Sequence, residues 1–169
     1  RGDPMVTTRL AAAAGRVARL PWVETVDVRR QWPGTIRVHV VERTPVAAVP
    51  VKAGGWVLLD GTGRQLATVP EPDGGLLRVE VPPVETALGE TLGAAATPVL
   101  ELAVSRPAAL RDRLVALRPV AGGAVEGTVA LANDTRATVV FGAPTQATAK
   151  WLALLSILQD ADPDGLVRI

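Results

Sequence analysis

The chain of 169 residues contains no cysteine and no tyrosine, and only 3% of its residues are aromatic. The lack of cysteine excludes disulfides, thiolate nucleophiles and cysteine-based zinc sites. Because aromatic residues are scarce, valine, leucine, isoleucine and alanine must fill the core, and an apolar fraction of 48% supplies enough of them. This composition is typical of a folded protein and not of a disordered one.

An excess of charge and a long apolar run are also missing. The 18 basic and 17 acidic side chains give a net charge of +1, whereas a nucleic-acid binder usually carries a clustered basic excess. The longest apolar runs, Leu10–Ala14 and Trp151–Leu155, are far shorter than the about 20 residues of a membrane helix. We therefore expect no nucleic-acid partner, and we expect any membrane anchor to lie outside this chain.

Residues that could carry out nucleophilic or acid–base catalysis are few and dispersed. The single histidine, His39, falls among the outward-facing residues of a predicted strand, and Ser105 and Ser156 lack the sharp-turn motif of a serine nucleophile. Gly61-Thr-Gly63 lacks the further glycine of a dinucleotide loop and indicates a hairpin turn. These patterns favour a binding or structural protein without a catalytic site or cofactor.

One acidic segment resembles the start of a calcium loop. Asp160-Ala-Asp162-Pro-Asp164-Gly165 matches the first half of an EF-hand, but the Glu at the twelfth position of that loop would fall beyond Ile169. We interpret the segment as a solvated turn and expect no metal. A metal-dependent or hydrolytic enzyme built on this cluster is kept as a competing hypothesis.

The N-terminal part predicts a helix followed by a hairpin. Thr7 or Thr8 can cap a helix that runs to about Leu20, where Pro21 ends it. Residues 22–32 alternate between apolar and polar side chains, Pro33-Gly34 supplies a turn, and a second alternating strand follows. Residues 1–43 therefore predict a small α+β unit.

From Pro45 onward the pattern favours short strands with a few helices. The predicted strands are Val46–Val51, Trp56–Leu59, Arg64–Ala67, Leu76–Val81, Ala124–Ala132 and Arg136–Phe141. Two helical segments are predicted at Ala94–Ser105 and Ala108–Leu117. A third helix begins near Thr145, and its apolar face consists of Trp151, Leu154, Leu155 and Leu158.

Several motifs carry a resemblance to one family. They are Gly2-Asp-Pro4-Met5, Leu20-Pro21-Trp22-Val23, the run from Val28-Arg29-Arg30-Gln31-Trp32-Pro33 to Glu42-Arg43-Thr44-Pro45-Val46-Ala47, and Trp56-Val-Leu-Leu-Asp60-Gly61-Thr-Gly-Arg64. Val139-Val-Phe141-Gly142, Lys150 and Val167-Arg-Ile169 extend the likeness towards the C-terminus. With these motifs the chain resembles the extracytoplasmic region of the FtsQ/DivIB family of bacterial cell-division proteins.

The resemblance implies an α+β fold made of two parts. An incomplete POTRA module, a helix plus a β-hairpin, is expected at residues 1–44. A mainly antiparallel β-domain with flanking helices is expected at residues 45–169. A POTRA module is β-α-α-β-β, and its first strand and helix have no counterpart here, so we expect an exposed strand edge in this part.

The resemblance also implies a function. It predicts a non-catalytic scaffold of the divisome, anchored by a single membrane helix and placed outside the cytoplasm at the septum. Its partners would be FtsB- and FtsL-type division proteins, recruited by addition of a strand to the β-domain. The residues predicted to bind partners are Lys150, Leu166, Val167, Arg168 and Ile169.

A second interpretation of the POTRA-like part remains as an alternative. A POTRA-bearing component of outer-membrane or secretion machinery would bind unfolded polypeptide with the same module. It would need serial POTRA repeats and a transmembrane barrel with alternating strands of about ten residues. Neither pattern occurs in this sequence.

Overall fold

The computed structural model describes residues 10–93, 96–131 and 135–160. Within them the chain forms an α+β fold, as predicted. The helices are α1 (Leu10–Val17), α2 (Thr97–Val104) and α3 (Ala147–Asp160). The strands are β1 (Val23–Gln31), β2 (Thr35–Glu42), β3 (Pro45–Pro50), β4 (Trp56–Asp60), β5 (Gln65–Val69), β6 (Leu77–Val79), β7 (Leu114–Val120), β8 (Ala124–Ala130) and β9 (Arg136–Gly142). None of the helices in these ranges has the length and hydropathy needed to cross a membrane.

The first part, here called the N-terminal unit (residues 10–43), is helix α1 beside the β1–β2 hairpin. The two strands pair antiparallel, with Val26 opposite Val40 and Val28 opposite Val38. Side chains alternate between the two faces of a strand, so these valines share one face. His39 is exposed on the other face, opposite Asp27. The predicted helix and hairpin are confirmed, although α1 ends at Val17, three residues earlier than expected. The predicted cap at Thr7 or Thr8 lies outside the described residues.

The second part, the sheet domain (residues 45–160), contains a seven-stranded sheet in the order β5-β4-β3-β6-β7-β8-β9. The short central strand β6 runs parallel to β3 and β7, and the other four neighbouring pairs are antiparallel. The sheet is therefore mainly antiparallel, as predicted. Strands β5 and β9 form its two edges, six strand spacings or roughly 29 Å apart.

The main core lies between the sheet and the helices α2 and α3. Leu59 on β4, Leu117 on β7 and Trp151 on α3 are all fully buried in it. The opposite face of β3–β5 carries a smaller cluster of Ala48, Leu58 and Leu66, with Trp22 of the N-terminal unit packed against it. Leu58 and Leu59 are neighbours in sequence but belong to different clusters, because adjacent residues of a strand face opposite sides.

One predicted helix is wrong. The segment Ala108–Leu117 forms a short 3-10 turn at Ala108–Leu110 and then enters β7. Strand β7 lies between β6 and β8 and its backbone pairs with both. The two neighbouring strands satisfy its N–H and C=O groups, so tertiary pairing overrides the weak helical preference of a short apolar run.

The two parts meet at an ion pair between the half-buried Arg43 and the buried Asp60. Arg43, at the end of the hairpin, donates from Nη1 to Oδ2 of Asp60 over 2.7 Å and from Nε to the carbonyl of Val23 over 3.2 Å. Arg64 donates from Nε to the carbonyl of Pro21 over 3.4 Å. These contacts and the packing of Trp22 are here called the joint, and they explain why an arginine follows the second strand of the hairpin.

Hydrogen bonds within its own turn hold the Asp60 carboxylate in place for this contact. Its Oδ1 accepts hydrogen bonds from the backbone N–H and hydroxyl of Thr62 and from the backbone N–H of Arg64. Burial alone would raise the pKa of the Asp60 carboxyl, but the hydrogen bonds from Thr62, Arg43 and Arg64 outweigh burial and lower that pKa below its usual value. The Asp60–Gly61 segment is thus a hairpin turn, as predicted, and it also holds the joint.

Candidate functional site at the outer edge of strand β9

Strand β9 is the last strand of the seven-stranded sheet. Among the described residues it pairs only with β8. Its residues alternate as expected for a strand with one covered face: Val139 and Phe141 are buried, whereas Val140 between them is 66% exposed. A sheet edge offers N–H and C=O groups for pairing with another chain. The outer side of β9 is therefore suited to take up a further strand.

The strand is irregular at its C-terminal end. Val125 of β8 lies opposite Gly142 and the next residue, Glu126, lies opposite Val140. Phe141 is thus an extra residue in β9, which makes a β-bulge, a feature that is common at sheet edges. Gly142 follows with φ of 67°, a conformation that glycine adopts at little cost. The bulge and Gly142 together turn the chain from the sheet edge towards α3.

Helix α3 is fixed beside β9 by its only tryptophan. The rings of Phe141 and Trp151 meet edge to face with centroids 4.8 Å apart, an arrangement favoured by aromatic quadrupoles. The indole Nε1 of Trp151 donates to the hydroxyl oxygen of Ser105 at the end of α2 over 3.1 Å. Trp151 is thus part of the core, as predicted, and it sets the distance between α3 and the sheet edge.

Lys150 lies one residue before Trp151 and is half-buried at the end of β9. Its ammonium donates to the backbone carbonyl of Phe141 over 2.6 Å and also to the carbonyl of Ala143. An ammonium has three donors, so these two bonds leave one. Lys150 therefore ties α3 to the strand end and still has a donor for a further acceptor.

A groove of about 230 Å³ separates β9 from α3. It is lined by Val139, Val140, Phe141, Lys150, Ala153, Leu154 and Ile157. Among the described residues the lining is apolar except for the ammonium of Lys150, and it contains no carboxylate, imidazole or hydroxyl that could act as an acid–base pair. Chemically this arrangement can hold apolar side chains next to a strand edge.

Sequence reasoning identified one member of this site and missed the others. Lys150 lies in the groove, whereas Leu166, Val167, Arg168 and Ile169 are outside the described residues, so their role stays a prediction. The β9 and α3 residues that complete the groove were not predicted. A second stripe on α3 could have revealed them, because Lys150, Ala153, Leu154 and Ile157 have the i, i+3, i+4, i+7 spacing of one helix face.

Comparison with protein-family models identifies the N-terminal part. Residues 1–43 match the model of the FtsQ-type POTRA domain. The two strands and the helix of the N-terminal unit lie within this range.

Comparison with individual proteins extends the likeness along the chain. Cell division protein FtsQ of Streptomyces bingchenggensis is 33% identical over 148 residues, which are 88% of this chain and 54% of that protein. FtsQ of Streptomyces collinus is 42% identical over 81 residues, 47% of this chain and 30% of that protein. FtsQ of Xanthomonas campestris is 42% identical over 62 residues, 37% of this chain and 21% of that protein.

The matches therefore span between about a fifth and about half of the length of these relatives. The longest of the three alignments covers 148 of the 169 residues and therefore includes a large part of the sheet domain. Taken with the POTRA match and the motifs around the joint, they show that the chain is a relative of the FtsQ cell-division proteins.

Proposed function

We propose that the chain is a non-catalytic scaffold of bacterial cell division that captures a segment of a partner protein at the β9 side of its sheet domain. The observation that carries this proposal is the outer edge of β9, which has no partner strand among the described residues and lies beside an apolar groove. The similarity to FtsQ proteins supports the cellular process, and the geometry of the edge supports the mode of binding.

Strand addition accounts for both affinity and selectivity at such a site. A partner segment in extended conformation would form main-chain hydrogen bonds with β9, and alternate side chains would enter the groove. Apolar side chains would contact Val139, Ala153 and Ile157. The remaining donor of Lys150 would take a carbonyl or carboxylate of the partner.

The proposal retains the predicted partners and the predicted strand. FtsB- and FtsL-type division proteins are the proposed partners. Lys150 and Leu166–Ile169 keep their predicted role as partner-binding residues, which would contact the segment captured at β9. The proposed setting is the plasma membrane at the septum, with this region outside the cytoplasm and a single membrane anchor in another part of the protein.

A charge placed in the groove tests the site. Ala153→Glu puts a carboxylate among apolar residues, where an unpaired charge is costly on burial. We expect the dissociation constant for an FtsB-type peptide, measured by titration calorimetry, to rise at least about tenfold, which is about 1.4 kcal/mol. Leu152→Glu is the matched control, because Leu152 is the preceding residue of α3, is 62% exposed and does not line the groove.

Two further variants test the predicted strand separately. Val167→Pro removes a main-chain donor and Val167→Glu adds a charge, so each weakens binding if this segment docks the partner. Unchanged affinity in both would eliminate Leu166–Ile169 as partner-binding residues. Equal affinities of the Ala153→Glu and Leu152→Glu variants would eliminate the groove.

A further inference from the structure

A second pocket lies between the C-terminal end of α2, the start of β3 and the loop before β6, and it is here called the α2 pocket. Its volume is about 360 Å³, at the lower end of the roughly 300–1,000 Å³ of pockets that hold small ligands. Val104, at the end of α2, is 59% exposed. The apolar walls of the pocket are Pro45, Val46, Leu76, Ala103 and Val104.

The charged residues of the α2 pocket do not neutralise one another. Arg106, Arg111 and Asp73 all line it. No ion pair among the described residues includes any of the three. The lining therefore carries two positive charges against one negative charge, which favours an acidic ligand over a basic one.

The guanidinium of Arg111 is available for a direct contact. Arg111 is exposed, and within the described part of the chain its side chain has no hydrogen bond or ion pair. A guanidinium can donate two parallel hydrogen bonds to one carboxylate. Arg111 can therefore take a carboxylate without first giving up a partner inside the described chain.

Arg106 supplies a second positive charge that is held in place. It is half-buried, and its Nη2 donates to the carbonyl of Gly75 over 2.6 Å. Its Nη1 is buried and has no hydrogen-bond partner in the described ranges. Burial lowers the pKa of the Arg106 guanidinium below its usual value and the charge of Arg111 lowers it further, whereas Asp112 acts in the opposite direction. An anion at Arg111 would relieve this repulsion, and a half-buried charge attracts it more strongly than an exposed one does.

The occupant must match both the arginines and the apolar walls. We propose that the α2 pocket binds an acidic side chain of a protein partner, with the apolar residues next to it in the partner seated against Val46, Leu76 and Val104. Arg111 contacts the carboxylate and Arg106 attracts it from the half-buried side. Phosphate fits less well, because Asp73 repels a dianion more strongly than a carboxylate and the walls offer it no apolar match.

This site is separate from the proposed capture of a partner strand. The α2 pocket and the β9 groove share no lining residue. Binding at the two places can therefore succeed or fail independently.

Two matched peptides test the inference on the 169-residue chain. The probes are acetyl-Leu-Glu-Leu-amide and acetyl-Leu-Gln-Leu-amide, which differ only in the charge of the central side chain. In a nuclear magnetic resonance titration we expect the Glu peptide to shift the backbone amide signals of Gly75 and Val104. Its dissociation constant should be about tenfold lower than that of the Gln peptide, the effect of one charge-assisted hydrogen-bonded pair.

Substitutions of the arginines locate the contact. Arg111→Gln and Arg106→Gln should each raise the dissociation constant of the Glu peptide about fivefold, and Gln at position 106 keeps a donor for the carbonyl of Gly75. Arg113→Gln is the matched control, because Arg113 is exposed, lies two residues after Arg111 and does not line the pocket. It should leave the dissociation constant unchanged.

Four outcomes would overturn the proposal. The first two are equal affinities of the Glu and Gln peptides and an equal loss of affinity in Arg111→Gln and Arg113→Gln. The third is that acetate or inorganic phosphate binds as tightly as the Glu peptide, which would make the pocket a site for a free anion. The fourth is that the peptide shifts only the amide signals of Val140 and Ala153, which would place it in the β9 groove.

Discussion

The N-terminal unit and the sheet domain differ in how far their apolar side chains are buried. In residues 10–43 only Val23 is buried, and Val38, Val40 and Val41 of β2 are exposed. In the sheet domain, apolar side chains at alternating strand positions are almost fully covered, down to 0% exposure for Leu59. The difference shows that an alternating pattern specifies a strand in both regions, while burial requires a second layer packed on the sheet.

The sheet domain therefore stabilises the N-terminal unit more than the N-terminal unit stabilises the sheet domain. A two-stranded hairpin with one helix buries too little surface to be stable alone. The joint adds what the unit lacks, since Val23 becomes buried there and Trp22 packs on the smaller cluster of the sheet domain. The same kind of substitution should therefore change the free energy of unfolding by different amounts in the two regions.

The largest difference is expected between two tryptophans. Trp151→Ala removes a fully buried side chain that contacts Phe141 and Ser105, and it should lower the free energy of unfolding by about 3–5 kcal/mol. Trp32→Ala in the turn of the β1–β2 hairpin, with 67% exposure, should change the free energy of unfolding by less than about 0.5 kcal/mol. Chemical denaturation of both variants measures the contrast, and similar losses would show that the two regions do not differ as described.

A smaller effect is expected at the joint. Arg43→Gln leaves the Asp60 carboxylate buried without its guanidinium and should cost about 2 kcal/mol. Lys52→Gln is the matched control, because Lys52 and Glu85 are separated by 2.8 Å, nearly the same as 2.7 Å at the joint, yet both are largely exposed. Exposed pairs contribute about 0–1 kcal/mol. Hydrogen exchange of the β1–β2 amides should speed up only in Arg43→Gln, and equal exchange in both variants would refute a supporting role of the joint.

The joint also makes a prediction about pH. The pKa of Asp60 in the folded chain is below its usual value of 3.8, so its contribution is present above that value and is lost as pH falls through the folded pKa. Asp60→Asn should therefore be less stable than the original chain at neutral pH and should lose less stability on acidification. Parallel stability curves for the two chains would show that Asp60 is not the group concerned.

Local sequence pattern predicts single helices and strands better than it predicts which of them lie next to each other. The alternation at residues 22–32 and the stripe from Trp151 to Leu158 gave β1 and α3, because each element is specified by its own period. The predicted helix Ala108–Leu117 is wrong at Leu114–Leu117, because four apolar residues fit either structure and pairing with β6 and β8 decides between them. The parallel placement of β6 next to β3 joins segments some 30 residues apart, and no local signal encodes such a contact.

The same limit applies to the candidate site. Lys150 was identified through a family resemblance and lies in the groove, but the bonds from its ammonium to Phe141 and Ala143 depend on the bulge in β9. A bulge follows from how two strands are registered, which the sequence of one strand does not reveal. The ion pair of Arg43 and Asp60 has no local signal either, because the two residues are 17 positions apart in sequence and only the fold brings them together.

The smallest effect on stability is expected when either of two glycines is replaced by alanine, and its sign should differ between the two regions. A Cβ at Gly127 of β8 would lie 2.8 Å from the Phe141 ring and 2.9 Å from Leu117, both in the core, whereas a Cβ at Gly34 would have no neighbour within 4 Å. Replacement by alanine stabilises either site by about 0.4–1 kcal/mol through the unfolded chain, since Gly34 has no positive φ to strain. At Gly127 overpacking costs about 1–3 kcal/mol, so Gly127→Ala should be less stable by about 1 kcal/mol and Gly34→Ala more stable. Because Phe141 also lines the β9 groove, Gly127→Ala should weaken peptide binding slightly as well, and a stabilised Gly127→Ala would mean that the core under β9 is looser than its contacts indicate.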